Sequence, residues 1–271
     1  MFKKQIAFFL LTFFVALSCV QAAEKAKAKK EFPGRDIFPE VQIYELAELY
    51  QQKDQVVIVD VRSKYEFETL RAKGAINIPV SSKTFGEELR KLRASTDKPI
   101  VFYCNGRTCY KSYKAGRKAI YYKVDNTFSF DSGIFDWAKT HPGEAVLLGH
   151  SPVNVRDLIS KKTFKKKLID PEKFGLKVGK NAIVLDVRDR FQREAIGFFP
   201  GQERRVSLDQ KTKLEKYFRK AKKNNKTLLI YDAVGKQVRW LMYSLEKVGV
   251  KEYYFMKGGA KGYYEMLAKQ Q

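Results

Sequence analysis

The chain has 271 residues, of which 44% are hydrophobic, so it is long enough for two domains with packed cores. Its 53 lysine and arginine residues exceed its 30 aspartate and glutamate residues, which gives a formal net charge of +23 at pH 7. Such an excess is typical of nucleic-acid-binding proteins, but the sequence has no nucleic-acid-binding motif and its lysines are spread along helix-like faces. We therefore expect no nucleic acid partner, and we expect the positive field to attract small anions.

The first 22 residues have the pattern of an export signal. Two lysines precede an apolar run from Ile6 to Val20, and small residues near Ala22 offer a cleavage site. The run is shorter than the ~20 residues of a membrane-spanning helix, so we predict a cleaved signal peptide at residues 1–22. The protein is then periplasmic or otherwise exported, and membrane anchoring by an uncleaved signal is the alternative. A basic N-terminal segment, residues 23–35, follows the signal.

Two apolar, β-rich segments recur along the chain. Val56–Val61 is echoed by Ala182–Val187, and Ile100–Tyr103 is echoed by Leu228–Tyr231. Amphipathic stretches alternate with these segments and predict helices, among them Glu87–Ala94 and Leu214–Lys222. This alternation favours an α/β fold in which a mostly parallel sheet is flanked by helices. Ligands of such sheets bind at the carboxyl ends of the strands.

The repeat divides the chain into two domains, residues 36–140 and residues 168–271, joined by a linker over 141–167. The linker ends in a basic cluster that contains five lysines between positions 161 and 167. We interpret this cluster as a solvated face. Contact with an anionic membrane surface or with an acidic protein partner is the functional alternative.

One cysteine lies where a strand is expected to end and a helix to begin. An apolar run leads to Cys104, and a polar, glycine-containing turn follows before a helix predicted over 112–120 with Ser112 as its N-cap. A thiol at such a junction is close to backbone N–H groups and, here, to Arg107 and Lys111. These conditions lower a cysteine pKa and hold an anion. The alternative is a buried structural cysteine, which prefers apolar flanks.

Signal cleavage would leave Cys104 and Cys109 as the only thiols. In an oxidising compartment such a pair commonly forms a structural disulfide. Four intervening residues close a loop too short to stabilise the fold strongly, so we favour a chemical role for the pair. No further cysteine or histidine lies nearby and the Cys-x-x-Cys-His signature is absent from the sequence, so we predict neither a metal site nor a cofactor.

Several short motifs, taken in order, resemble those of the rhodanese family. They are Asp60-Val61-Arg62 followed by Glu66-Phe67, then Gly74-Ala75-Ile76-Asn77-Ile78-Pro79, then Tyr103-Cys104 with its polar loop, then Phe130-Asp131-Ser132-Gly133-Ile134-Phe135-Asp136-Trp137. The resemblance covers residues 36–140 in full and residues 168–271 more weakly. The chain thus resembles a tandem rhodanese, with two rhodanese-like α/β domains of which the first is catalytic.

Rhodaneses carry sulfane sulfur as a persulfide on a loop cysteine, so the resemblance implies that Cys104 is the catalytic sulfur carrier. It implies that the sulfur comes from a small anion, thiosulfate or polysulfide, and passes to a thiol or cyanide-like acceptor. The substrate-binding loop would consist of Asn105, Gly106, Arg107, Thr108, Cys109, Tyr110, Lys111 and Ser112. Four further positions match family positions that are mainly structural: Asp60, Arg62, Asp186 and Arg188.

The chain departs from the family pattern in both domains. Cys109 stands where the loop usually has arginine, and we interpret it as a candidate resolving cysteine that attacks the persulfide and releases sulfide. Lys111 is the candidate replacement for the arginine charge. In the second domain Asp232 takes the place of Cys104, and a carboxylate cannot carry sulfane sulfur, so we predict a degenerate, inactive site there.

The sequence therefore favours an exported sulfurtransferase or sulfur carrier. The alternative is a non-catalytic rhodanese-fold module that docks a partner or senses an anion. A phosphatase-like activity is disfavoured because Tyr110 occupies the position of the arginine that clamps phosphate in the related phosphatases.

Overall fold

The computed structural model describes residues 31–189, 193 and 197–270. The predicted signal peptide and most of the predicted basic segment lie outside the described residues. The described residues form two compact units: the first contains those up to Ser63 together with Leu70–Val146, and the second contains Lys64–Thr69 and those from Leu147 onward. Within the described ranges, no helix is both long and apolar enough to cross a membrane.

Strands alternate with helices through both units. In chain order the elements are α1 (Gly34–Ile37), α2 (Leu46–Gln52), β1 (Val57–Asp60), α3 (Lys64–Thr69), β2 (Leu70–Ala72), β3 (Ile76–Asn77), α4 (Phe85–Ala94), β4 (Ile100–Tyr103), α5 (Lys111–Tyr121), β5 (Thr127–Phe130), α6 (Gly133–Thr140), β6 (Ala145–Leu147), α7 (Lys161–Lys166), β7 (Leu168–Ile169), α8 (Pro171–Leu176), β8 (Ala182–Asp186), β9 (Glu203–Arg205), α9 (Lys211–Lys223), β10 (Thr227–Tyr231), α10 (Leu241–Val248), β11 (Tyr253–Met256) and α11 (Gly259–Ala268). Short 3₁₀ helices cover Pro142–Glu144, Val155–Asp157 and Gln237–Trp240.

The main sheet of the first unit has the strand order β3-β1-β4-β5, and every neighbouring pair is parallel. The register pairs Tyr103 of β4 with Asp60 of β1 and with Phe130 of β5, so three strands end at the same edge. Strand β4 is an apolar run buried at every position, as expected for a parallel strand covered on both faces. The predicted α/β fold is confirmed.

The sheet of the second unit has the order β7-β11-β10-β8-β9 and is parallel throughout. The pairing of Tyr231 with Asp186 repeats the pairing of Tyr103 with Asp60 in the first unit. The echo in the sequence is therefore a repeat of structure, in which the central strand ends beside the same Asp-x-Arg segment.

Packing of the first unit begins before the predicted boundary at residue 36. Gly34 is buried, and a Cβ at this position would lie 2.2 Å from the ring of Tyr113. The guanidinium of Arg35 lies 2.8 Å from the carboxylate of Asp131, which also accepts a hydrogen bond of 2.5 Å from the Tyr113 hydroxyl. The end of the segment predicted as a separate basic region is thus part of this unit.

The predicted linker over 141–167 contains regular structure, including β6 and α7. The Ser160 hydroxyl caps α7 by accepting a hydrogen bond of 3.0 Å from the Thr163 N–H. Phe164 packs against Phe255 with ring centroids 5.7 Å apart, whereas the lysines of α7 are exposed. Four of the five lysines therefore form the exposed face of a short anchored helix, and Lys167, at its C-cap, is half-buried over the ring of Tyr253.

The helices predicted over 87–94 and 214–222 lie within α4 and α9. The predicted cap of α5 is wrong. The helix begins at Lys111 with Tyr110 at the N-cap position, and Ser112 is a buried residue of its first turn. The hydroxyl of Ser112 faces the sulfur of Cys104 instead, at 3.6 Å.

Candidate functional site

Cys104 follows β4 directly, at the carboxyl edge of the first sheet. The Val61 N–H donates a hydrogen bond of 3.1 Å to the Tyr103 carbonyl, and the Ile134 N–H donates one of 3.0 Å to the Cys104 carbonyl. These bonds fix the residue between the end of β1 and the first turn of α6. The Cys104 side chain is fully buried at the edge where parallel α/β sheets bind ligands.

Two glycines hold the loop after Cys104 against the start of α6. Gly106 has φ +142° and Gly133 has φ +67°, values that side chains disfavour. A Cβ on Gly133 would lie 2.4 Å from the Gly106 nitrogen and 2.7 Å from the Cys104 oxygen. The close approach of loop and helix therefore requires glycine at position 133. The Cys109 N–H donates to the Gly106 carbonyl at 2.7 Å and closes a turn that returns the chain toward Cys104.

Cys104 and Cys109 are both free thiols, and Cys104 is the neighbour that lowers the pKa of Cys109 most. The sulfur of Cys104 lies 3.1 Å from the carbonyl oxygen of Cys109. The backbone N–H groups of Asn105 and Lys111 donate to the sulfur of Cys109, which is partly exposed. We call these two N–H groups the first cradle. The side chain of Cys109 fills it.

Hydrogen bonding makes Cys109 the acidic thiol of the pair. The hydrogen bond from Cys104, together with the N–H groups of Lys111 and Asn105, outweighs burial and lowers the pKa of Cys109 to about 6. Burial raises the pKa of Cys104 well above its usual value, and the neighbouring Cys109 raises it further. The structure thus reverses the expectation of a low pKa at Cys104. Cys104 is buried in the same way as the strand that precedes it. The loop after Cys104 then folds back, and its backbone N–H donors reach Cys109 instead.

The pH dependence of thiol alkylation tests this assignment. Since only a thiolate reacts rapidly, alkylation of Cys109 by iodoacetamide is expected to rise with pH through a midpoint near 6, and Cys104 should react more slowly throughout. The Cys104→Ala variant removes the strongest hydrogen bond to Cys109 and should move the midpoint upward. The Cys104→Ser control keeps a donor and should move it less. A midpoint that is the same in all three proteins would refute the hydrogen bond as the cause.

The two cations expected near the sulfur have different surroundings. The Arg107 guanidinium forms an ion pair of 2.7 Å with Asp136 and a second with Glu31, so carboxylates already neutralise its charge. The positive charge of Lys111 acts on Cys109 and lowers its pKa. Of the two predicted anion-binding cations, the structure therefore places Lys111 at the cysteine pair and engages Arg107 elsewhere.

Asp60 and Arg62 form a fully buried pair, in which Nε of Arg62 donates to the Asp60 carboxylate at 2.9 Å. Nη1 of Arg62 also donates to the side-chain oxygen of Asn105 at 3.1 Å. The sequence missed this second contact, which joins residues 43 positions apart. Arg62 therefore positions the residue that supplies one N–H of the first cradle.

The remaining loop residues lie outside the cysteine pair. The side chain of Thr108 is exposed. The ring of Tyr110 packs 6.1 Å from the ring of Phe38 and anchors the start of α5. Within the described part of the chain, no group of three or more His, Cys, Asp or Glu residues is placed to hold a metal ion.

Asp232 has the position in the second unit that Cys104 has in the first, directly after the central strand β10. It is fully buried, and its carboxylate accepts hydrogen bonds from four backbone N–H groups of the loop that follows: Val234 at 3.0 Å, Gly235, Gln237 at 2.6 Å and Val238 at 3.0 Å. Nearby, Arg188 donates to Asp186 at 2.8 Å and repeats the pair formed by Arg62 and Asp60.

A family model described as "Rhodanese-like domain" matches residues 43–140 and 170–266. Among curated proteins, a tRNA uridine(34) hydroxylase from Hamiltonella defensa is 30% identical over 101 residues, which are 36% of this chain and 27% of the relative. A tRNA uridine(34) hydroxylase from Cytophaga hutchinsonii is 28% identical over 95 residues, which are 35% of this chain and 30% of the relative. The chain thus spans less than a third of the length of these relatives.

Two solved structures are similar to parts of the chain. A thiosulfate sulfurtransferase from Pseudomonas aeruginosa is 19% identical with a TM-score of 0.39, and the match covers 85% of this chain and 43% of that one. A single-domain sulfurtransferase from Saccharomyces cerevisiae is 22% identical with a TM-score of 0.31, and the match covers 37% of this chain and 91% of that one.

Proposed function

Because the chain belongs to the rhodanese-like family, which supports a role related to sulfur transfer, we propose that it moves sulfane sulfur through a persulfide on Cys104. The observation that carries the proposal is the reduced cysteine pair at the carboxyl edge of the first sheet, with one sulfur buried at the strand end and the other among loop N–H groups. Donor and acceptor are a thiosulfate- or polysulfide-like anion and a thiol or cyanide-like nucleophile.

Cys109 is the base in the first step. Its thiolate accepts the proton of the adjacent Cys104, which leaves a Cys104 thiolate and a neutral Cys109 thiol. A neutral thiol is a weak hydrogen-bond acceptor, so Cys109 no longer holds the N–H groups of Asn105 and Lys111. The first cradle is then open to an incoming anion.

The Cys104 thiolate attacks the outer sulfur of thiosulfate. The new bond joins the two sulfurs, the S–S bond of thiosulfate breaks, and sulfite leaves with the bonding electron pair. The product is a Cys104 persulfide whose outer sulfur carries the negative charge. The first cradle and Lys111, which had stabilised the Cys109 thiolate, now stabilise the charge of the persulfide.

In the second step an acceptor nucleophile takes the outer sulfur and regenerates the Cys104 thiolate. Cys109 offers an internal alternative: its thiol passes its proton to the outer sulfur of the persulfide, the resulting thiolate attacks the Cys104 sulfur, the S–S bond of the persulfide breaks, hydrosulfide leaves with the bonding electron pair, and a Cys104–Cys109 disulfide forms. The alternative consumes one persulfide and needs a reductant for the next turnover. We place this chemistry outside the cytoplasm on the basis of the N-terminal sequence pattern alone.

The test is mass spectrometry of the reduced full-length protein after incubation with thiosulfate. Trypsin cleavage after Arg107 puts the two cysteines on different peptides, so the added mass of one sulfur atom can be assigned to either residue. The proposal expects the addition on the peptide that contains Cys104. No addition with thiosulfate or with polysulfide would contradict it and would favour a non-catalytic docking or anion-sensing module.

A further inference from the structure

The loop after β10 is wrapped around the side chain of its own first residue. Four backbone N–H groups, those of Val234, Gly235, Gln237 and Val238, converge on the two carboxylate oxygens of Asp232. We call these four groups the second cradle. The carboxylate has no exposed surface, so these hydrogen bonds replace its solvation by water.

The backbone around Asp232 keeps the construction found around Cys104. Gly235 and Gly259 have positive φ angles, as Gly106 and Gly133 do. The Ala260 N–H donates to the Asp232 carbonyl at 2.8 Å, as the Ile134 N–H does to that of Cys104. A Cβ on Gly259 would lie 2.4 Å from the Asp232 oxygen. The two loops therefore have the same backbone construction, although aspartate takes the place of cysteine in the second.

Convergent backbone N–H groups form an anion-binding site. In the second unit the anion is supplied by the chain itself, through a side chain too short to leave the loop that surrounds it. We propose that Asp232 is a built-in anion that fills an otherwise competent oxyanion-binding site and keeps small sulfur oxyanions out of the second unit. The proposal concerns the second unit alone and holds whether or not Cys104 carries sulfur.

The two units thus fill their cradles with different groups. In the first unit the group is a thiol that protonation can release, and in the second it is a carboxylate attached at the base of the loop. The second cradle is therefore expected to be closed permanently. Its loop should also depend on the negative charge for stability, because without Asp232 the four N–H groups would be left unpaired.

The experiment removes the carboxylate and supplies an anion from solution. Thermal unfolding of the full-length Cys104→Ser protein, the parent, is compared with that of Cys104→Ser/Asp232→Ala in sodium chloride and in sodium thiosulfate of equal ionic strength. The parent lacks the proposed sulfur carrier, and its response to thiosulfate measures general salt effects together with any binding or reaction in the first unit. The matched control is Cys104→Ser/Asp170→Ala, which removes a largely exposed carboxylate of the second unit.

In chloride, the Asp232→Ala protein is expected to unfold at a lower temperature than the parent. Excess thiosulfate should raise its Tm by about 5 °C more than it raises that of the parent or of the Asp170→Ala control. Sulfate should act in the same way, because the cradle recognises an oxyanion rather than sulfane sulfur. If the Asp232→Ala protein folds and neither anion raises its Tm more than it raises the Tm of the parent, the proposal is overturned.

Two measurements cover the case in which the Asp232→Ala protein does not fold in chloride. Its yield on refolding from urea should then gain more from the exchange of chloride for thiosulfate than the yield of the parent does, and an equal gain would overturn the proposal. The Asp232→Asn variant keeps the size of the side chain but turns an N–H₂ group toward N–H donors, so its Tm should fall. An unchanged Tm of Asp232→Asn would show that the negative charge does not hold the loop, and would equally overturn the proposal.

Discussion

Replacement of Cys104 by serine is expected to abolish persulfide formation and sulfur transfer, because a hydroxyl cannot carry sulfane sulfur. Replacement of Cys109 by serine is expected to retain the first half-reaction. The reason for the difference is position: Cys104 ends the central strand, and hydrogen bonds from Ile134 and to Cys109 hold it there, whereas Cys109 lies in the turn that closes over it. The measurement is peptide mass after thiosulfate treatment, beside release of sulfite.

The Cys109→Ser protein should also differ from the wild type in its pH dependence. Without the thiolate of pKa about 6, Cys104 has no base beside it and its burial keeps its own pKa high, so sulfite release should need a higher pH. We expect a loss of at least tenfold at pH 7, since general-base catalysis contributes about 10²–10⁴-fold. If the Cys104→Ser protein instead forms the persulfide and Cys109→Ser does not, Cys109 is the carrier and the assigned roles are reversed.

The sequence predicted the fold because local patterns carried the information. Short β-rich runs alternating with amphipathic stretches favoured a parallel α/β arrangement, and the repeat of these runs predicted a similar sheet in each half of the chain, as the equivalent pairings of the two sheets confirm. The position of Cys104 at a strand end followed from the same patterns. These features depend on neighbours in sequence, which a single sequence displays.

The electrostatics of the site could not be predicted in this way. The pairing of Arg107 with Asp136 joins residues 29 positions apart, and the contact of Arg62 with Asn105 joins residues 43 apart. Likewise, the proximity of Cys109 to the N–H groups of Asn105 and Lys111 depends on how the loop turns. The sequence predicted that N–H groups, Arg107 and Lys111 surround Cys104 and lower its pKa, whereas in the structure the N–H groups and Lys111 act on Cys109 and Arg107 pairs with Asp136.

The burial of Cys104 does have a signal in the sequence. Cys104 directly extends a run of four apolar residues, and a strand buried on both faces commonly leaves the next residue buried as well. Burial without charge compensation raises the pKa of a thiol. The same pattern after β10 indicates a buried Asp232, and a buried carboxylate requires hydrogen-bond donors, which the loop N–H groups supply.

The cysteine pair is also expected to respond to oxidation. The Cys104 sulfur lies against the backbone of Cys109, and Cys109 has a pKa of about 6, so Cys109 is a thiolate at neutral pH and attacks a disulfide oxidant first. Cys104 can then displace the oxidant's thiol from the mixed disulfide on Cys109. An oxidant such as oxidised glutathione, which accepts the two electrons, should therefore convert the pair to an intramolecular disulfide. Both sulfurs are then bonded to each other, and Cys104 cannot accept sulfane sulfur.

We therefore expect mostly oxidised glutathione buffer to abolish sulfur transfer by the wild-type protein, and dithiothreitol to restore it fully. Thiol labelling, followed over a series of glutathione ratios, should report the loss of both thiols at the ratio at which activity disappears. The Cys109→Ser protein is the matched control: it cannot form the internal disulfide, so its residual activity should return at a milder reducing ratio, once the mixed disulfide with glutathione on Cys104 is removed. If both wild-type thiols stay free in the oxidised buffer, or if activity persists after they are lost, the pair is no redox switch and Cys109 acts only on the proton of Cys104.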